Sequence, residues 1–168
     1  MKKTIIALII TTMLLSLAPT MVTADQTSDT FTITVQGEYL YIEITPDTWD
    51  IGVVSMGSST YSNTTGPYFT ADTSNTNVNI DLKLQITNQG SDWSAATSGN
   101  GPGADTYRLN ASSDNWATES QIVTASPTTI ASITAGQDQT FDLRFDAPTS
   151  TSTGAEQTIT VTATIVKT

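Results

Sequence analysis

The sequence contains no cysteine and no histidine, and only six of its 168 residues are basic. Without cysteine the chain cannot form disulfides, so its stability must come from packing, hydrogen bonds or bound ions. Without histidine it lacks the usual general base near neutral pH and the commonest ligand for zinc, copper or nickel. Catalytic triads built on histidine or cysteine are excluded. Sixteen acids against six bases give a net charge of −10. The clustered Lys and Arg that phosphate neutralisation requires are missing, which argues against nucleic acid and anionic lipid as partners. No nucleophile elbow, phosphate loop or metalloprotease motif occurs, and no carboxylate sits in an apolar stretch that would raise its pKa, so an enzyme is not expected.

What is present begins at the N-terminus. Lys2 and Lys3 precede an apolar run from Ile5 to Leu17, then Pro19 and the small-residue stretch Val22-Thr23-Ala24. That order is the pattern of a secretory signal peptide over residues 1–24, with cleavage expected before Asp25. The run is short for a bilayer span. No cysteine follows it to carry a lipid, and the expected location is extracellular or at the cell surface. Residues 25–168 then form one domain of 144 residues, enough to bury a core. Its four basic residues, Lys83, Arg108, Arg144 and Lys167, face all sixteen acids, a net charge of −12 that favours solubility and attracts cations.

Threonine dominates, and alternation with a period of two is the main structural signal. Val78, Ile80, Leu82, Leu84 and Ile86 alternate with polar residues, as do Phe141, Leu143 and Phe145, and Ile159, Val161, Ala163 and Ile165. Each run predicts a strand with one face in a core and one in water, so Asp142, Arg144 and Asp146 are expected on a solvated face. Weaker strands are expected at Phe31–Val35, Tyr39–Ile44, Asp50–Val54, Tyr107–Leu109, Gln121–Thr124 and Thr128–Ser132. Gly, Pro and Ser/Thr clusters punctuate them, and Gly57–Gly66 reads as a loop. The expected fold is all-β: a single antiparallel β-sandwich, immunoglobulin-like, without the Cys…Trp…Cys spacing of true immunoglobulin domains.

Three groups of polar residues suggest ion sites. Asp72, Asn75 and Asn77 place oxygens at near-alternate positions, as calcium loops do, but without an EF-hand's glycine and closing glutamate. Asp105, Asp114, Asn115 and Glu119 form a second group, and Asp47 with Asp50 a third. The competing reading is turn chemistry, in which these side chains bond their own backbone. Ca²⁺ is the one cofactor this composition suits. Trp93 and Trp116 sit in polar stretches beside Asp and Asn, where an indole can stack on a sugar ring or plug the end of a sandwich. Asn63 and Asn110 head Asn-X-Ser/Thr acceptor motifs for glycosylation.

The stretch Ile44-Thr45-Pro46-Asp47-Thr48-Trp49-Asp50-Ile51-Gly52-Val53-Val54-Ser55-Met56-Gly57 resembles the opening of many extracellular immunoglobulin-like domains. Val78–Thr87, ending in Asn88-Gln89-Gly90, resembles their following strand, and Thr140–Pro148 with Gln157–Val166 their last hairpin. The layout is also similar to secreted matrix-fibre proteins of the TasA and camelysin type and to archaeal bundling-pilus subunits. That resemblance implies a filament or matrix subunit whose N-terminal segment adds as a strand to the next subunit. The segment here would be Asp25–Val35, with Phe31, Ile33 and Val35 alternating. Otherwise Phe31–Val35 is the first strand of its own sandwich. The expected function is therefore a non-enzymatic extracellular structural or surface protein acting through protein–protein contacts. The alternative is a glycan- or partner-binding sandwich using Trp93 and Trp116.

Overall fold

The computed structural model describes residues 29–63 and 66–168. The signal segment expected over residues 1–24, and the first residues of the segment beginning at Asp25, lie outside the described residues. The chain divides into two compact units, residues 1–36 and 37–168.

The larger unit is all-β, and no helix occurs among the described residues. Its strands are β1 (Glu43–Thr45), β2 (Ser59–Tyr61), β3 (Phe69–Asp72), β4 (Ile80–Asn88), β5 (Ser94–Ala95), β6 (Thr106–Ser112), β7 (Ser120–Ile122), β8 (Thr128–Ile133), β9 (Gln139–Asp146) and β10 (Thr160–Lys167). They form two sheets. The larger runs β1-β3-β9-β6-β5, with β2 also on β9 and β7 also on β6; the smaller runs β10-β4-β8. All pairs are antiparallel except the two-residue β5–β6 contact.

The alternating runs explain the packing. Ile80, Leu82, Leu84 and Ile86 of β4 are almost fully buried, and Phe141, Leu143 and Phe145 of β9 meet them in one apolar cluster with Phe69, Tyr107, Leu109, Ile122 and Ile133. Both sheets therefore turn one face inward, in the manner of a sandwich. Phe69 stacks on Phe141, the residue it pairs with across β3 and β9, at 5.2 Å between ring centroids.

Four expectations are corrected. Asp50–Val54 forms no strand: Asp50 Oδ1 accepts the Gly52 N–H at 2.9 Å, and Gly52 takes a left-handed φ of 68°, so the chain turns where a strand would run straight. Gly57–Gly66 is not simply a loop, because Ser59–Tyr61 pairs with β9 as β2. The alternate face of β9 is not solvated either: Asp142 and Asp146 are 4% and 5% exposed. Of the smaller unit, residues 29–36 carry no strand, contrary to expectation for Phe31–Val35, and Phe31, Ile33 and Val35 are 73–85% exposed.

Candidate functional site

The covered face of β9 comes from strand register. β9 is central, with β2 on one side and β6 on the other. Ser59, Asp146 and Arg108 lie in one row across the three strands, and Tyr61, Arg144 and Asn110 in the next. Cross-strand neighbours on one face stand close enough for their side chains to bond. Asp146 accepts from Ser59 Oγ at 2.6 Å, Arg108 Nε at 2.8 Å and Nη2 at 2.7 Å, and Arg144 Nε at 3.1 Å. Arg144 also bonds Glu119. Its guanidinium lies 5.7 Å from the Tyr61 ring centroid and 5.9 Å from that of Trp116, which meet edge to face at 5.0 Å.

Burial alone would raise the Asp146 carboxyl. The bonds from Ser59 and Arg108 and the charge of Arg144 more than offset it, and hold the group below its ordinary value. An acid so saturated with donors stays ionised and is a poor proton acceptor. The arrangement does the work of a staple. It joins β2, β9 and β6 in a chain that has no cysteine to do so.

All but one of the candidate ion ligands are engaged elsewhere. Asp72 Oδ1 accepts from the Ser74 N–H at 3.0 Å and its hydroxyl at 2.7 Å, which lowers its pKa. Asn77 accepts the Tyr39 N–H and donates to the Gly37 carbonyl, holding that stretch in place, while Asn75 is exposed in the turn. Asp105 and Asp114 flank opposite ends of β6, separated by about 20 Å of strand, and cannot share an ion. Asp105 accepts the Ser152 N–H at 2.7 Å and Asp114 the Thr118 N–H at 2.9 Å, and both pKa values fall for that reason. Glu119 is taken by Arg144. Among the described residues no three acidic side chains converge as a metal cluster would.

Trp93 and Trp116 are not brought together. Trp93 stacks at 6.2 Å on Phe145, on the inner face of β9, and donates its indole N–H to Thr151 Oγ1 at 2.9 Å. Trp116 lies by Arg144, and adjacent residues of a strand point to opposite faces. Asn115 and Trp116 take left-handed φ values of 55° and 66° in a turn held by Ser112 Oγ, which accepts the Trp116 N–H, and by Asp114. Asn110 is buried in β6, where its amide donates to Asp146 at 3.4 Å, so the folded domain leaves no room for a glycan there. Asn63 is half-buried just past β2.

The other notable surfaces are strand edges. β1 and β5, which end the larger sheet, have three and two residues, whereas β10, which ends the smaller one, has eight. Sequence reasoning missed the network around Asp146. Its one signal was a β9 run, Asp142-Leu143-Arg144-Phe145-Asp146, holding three charges in a domain with few bases.

No protein-family model matches the chain, and no curated protein and no solved structure matches it either.

Proposed function

We propose that the chain is a non-enzymatic extracellular structural or surface protein, an immunoglobulin-like sandwich exported by its N-terminal signal, that acts through contacts with copies of itself as a filament or matrix subunit. The observation that carries this reading is the apolar alternation Phe31, Ile33, Val35, left 73–85% exposed in a segment without strand pairing. Three large apolar side chains in water gain free energy when another surface covers them, and an alternating strip is suited to strand addition. The saturated carboxylates around Asp146 and in the turns favour a structural role over chemistry.

Negative-stain microscopy of the native protein tests it. Fibres or sheets are expected, and a Phe31→Asp/Ile33→Asp variant should lose them while melting at the same temperature, because side chains this exposed do not support their own fold. Monodisperse monomers at high concentration, with and without calcium, would sink the proposal.

A further inference from the structure

The edge that receives the strip can be identified from the backbone. The Thr168 N–H donates to the Asn79 carbonyl at 3.2 Å, and β10 continues that register along β4. In an antiparallel pair, bonded and non-bonded positions alternate. Val166, Thr164 and Thr162 therefore bond to β4, while Lys167, Ile165, Ala163 and Val161 turn their N–H and C=O groups to the free edge. No strand among the described residues lies beyond β10. Its inward side chains Val161, Ala163 and Ile165 are only half-buried, although those of the adjacent β4 are almost fully so. The core is thus open along β10. Seven uncharged residues from Thr160 to Val166, without proline and with one edge unpaired, are what folded proteins ordinarily cover or interrupt; the one charge on the strand, Lys167, bonds Glu38 at 2.6 Å.

We infer that the β10 edge is the acceptor for the Thr30–Gln36 segment of a second copy of this chain, which adds as a fourth strand beside β10. This rests on the reading of the chain as a self-assembling subunit. The two segments carry the same pattern: Phe31, Ile33 and Val35 alternate with threonine, as Val161, Ala163 and Ile165 do. Paired, their apolar residues share the open flank of the core and their threonines the outer face. Ile33 and Ala163 are the central members of the two triplets, so a large side chain meets a small one whether the strands run parallel or antiparallel. Both segments lack charge, from Thr30 to Gly37 and from Thr158 to Val166, in a chain of net charge −10. They are therefore surfaces on which two copies approach without direct repulsion. Donor and acceptor are different surfaces, so the contact is heterologous, and each added copy offers a fresh edge.

Disulfide trapping tests the inference, since the native chain has no cysteine to confuse it. Ile33→Cys and Ala163→Cys, mixed during assembly under mild oxidation, should give a covalent dimer well above either variant alone. Ala163→Pro removes an outward-facing N–H and no bond to β4, so it should fold but raise the concentration needed for assembly about tenfold or more. If Ala163→Pro misfolds, the cysteine mixture decides alone. If the native protein assembles but no mixed disulfide forms, the β10 acceptor is wrong and self-assembly stands. If the double cysteine variant closes only within one chain, exchange between copies is likewise overturned. If the native protein stays monomeric throughout, both readings fail together.

Discussion

Arg108 and Asp146 occupy directly paired positions on β6 and β9, and their side chains meet at 2.7 Å, with 32% of the Arg108 side chain and only 7% of the Asp146 side chain exposed. The pair is one row of a lattice that continues to Ser59 on β2 and, one row along, to Arg144 and Glu119. Removing one member of such a set strands the charges that remain.

Asp146→Ala should therefore cost about 3 kcal/mol or more, since it leaves Arg108 and Arg144 facing each other without a carboxylate. Ser59→Ala removes only one neutral donor and should cost about 1 kcal/mol. Urea unfolding separates the two. Guanidinium would screen the ion pairs under test.

Asp146, Asp72, Asp105 and Asp114 all have carboxyl groups held below the ordinary 3.8 in the folded protein. The unfolded chain then binds more protons than the folded one at acid pH, so stability rises with pH in that range. Stability should be level from neutral down to about pH 5 and fall once the pH drops through the ordinary and then the folded values. Urea midpoints collected across the acid range check this, and Asp146→Asn should flatten part of the slope. A midpoint that rises on acidification would contradict the assignment.

Tyr107 is fully buried, and its hydroxyl has no hydrogen-bond partner among the described residues; burial pushes its pKa up. Its ring lies 5.3 Å from that of Phe145 and supplies the packing. Tyr107→Phe keeps the ring and deletes the unpaired group, so it should be neutral or stabilising by about 1 kcal/mol, where a bonded tyrosine would lose that amount. A thermal melt against Tyr107→Leu, which loses the ring as well, distinguishes packing from polarity.

Calcium should do little to the folded domain. A site occupied at a hundred times its Kd would add about 2.7 kcal/mol of stability, a shift of several degrees in a melt. Asp105 and Asp114 lie at opposite ends of β6 and Asp72 is bonded to Ser74, so millimolar Ca²⁺ should leave the melting temperature unchanged. A rise of several degrees would restore an ion site to the account.

The parts of the fold legible in the sequence were those where one face is buried and the other wet. The β4 and β10 runs alternate cleanly and form strands within a residue or two of the expected bounds. β9 was found for the same reason, yet its polar residues read as solvated because alternation reveals nothing of what covers the second face. β3 was missed because Phe69-Thr70-Ala71-Asp72 is short and follows Gly66-Pro67, where turn signals dominate. Phe31–Val35 alternates as well as any strand in the chain and is unpaired, because a strand requires a partner as well as a pattern. Of the candidate site residues, side-chain type alone could not separate a carboxylate that binds an ion from one that caps its own turn.

The position of β4 has a consequence for when the molecule can fold. Residues 80–88 supply four of the most deeply buried core side chains, yet both their neighbours come later, β8 at 128–133 and β10 at 160–167. The central strand of the smaller sheet is thus incomplete until β10 has been made, and such distant pairings close slowly. A growing chain of this design has no finished core to lock in early. Until β10 arrives, β4 holds its core side chains beside an unfilled place in the sheet.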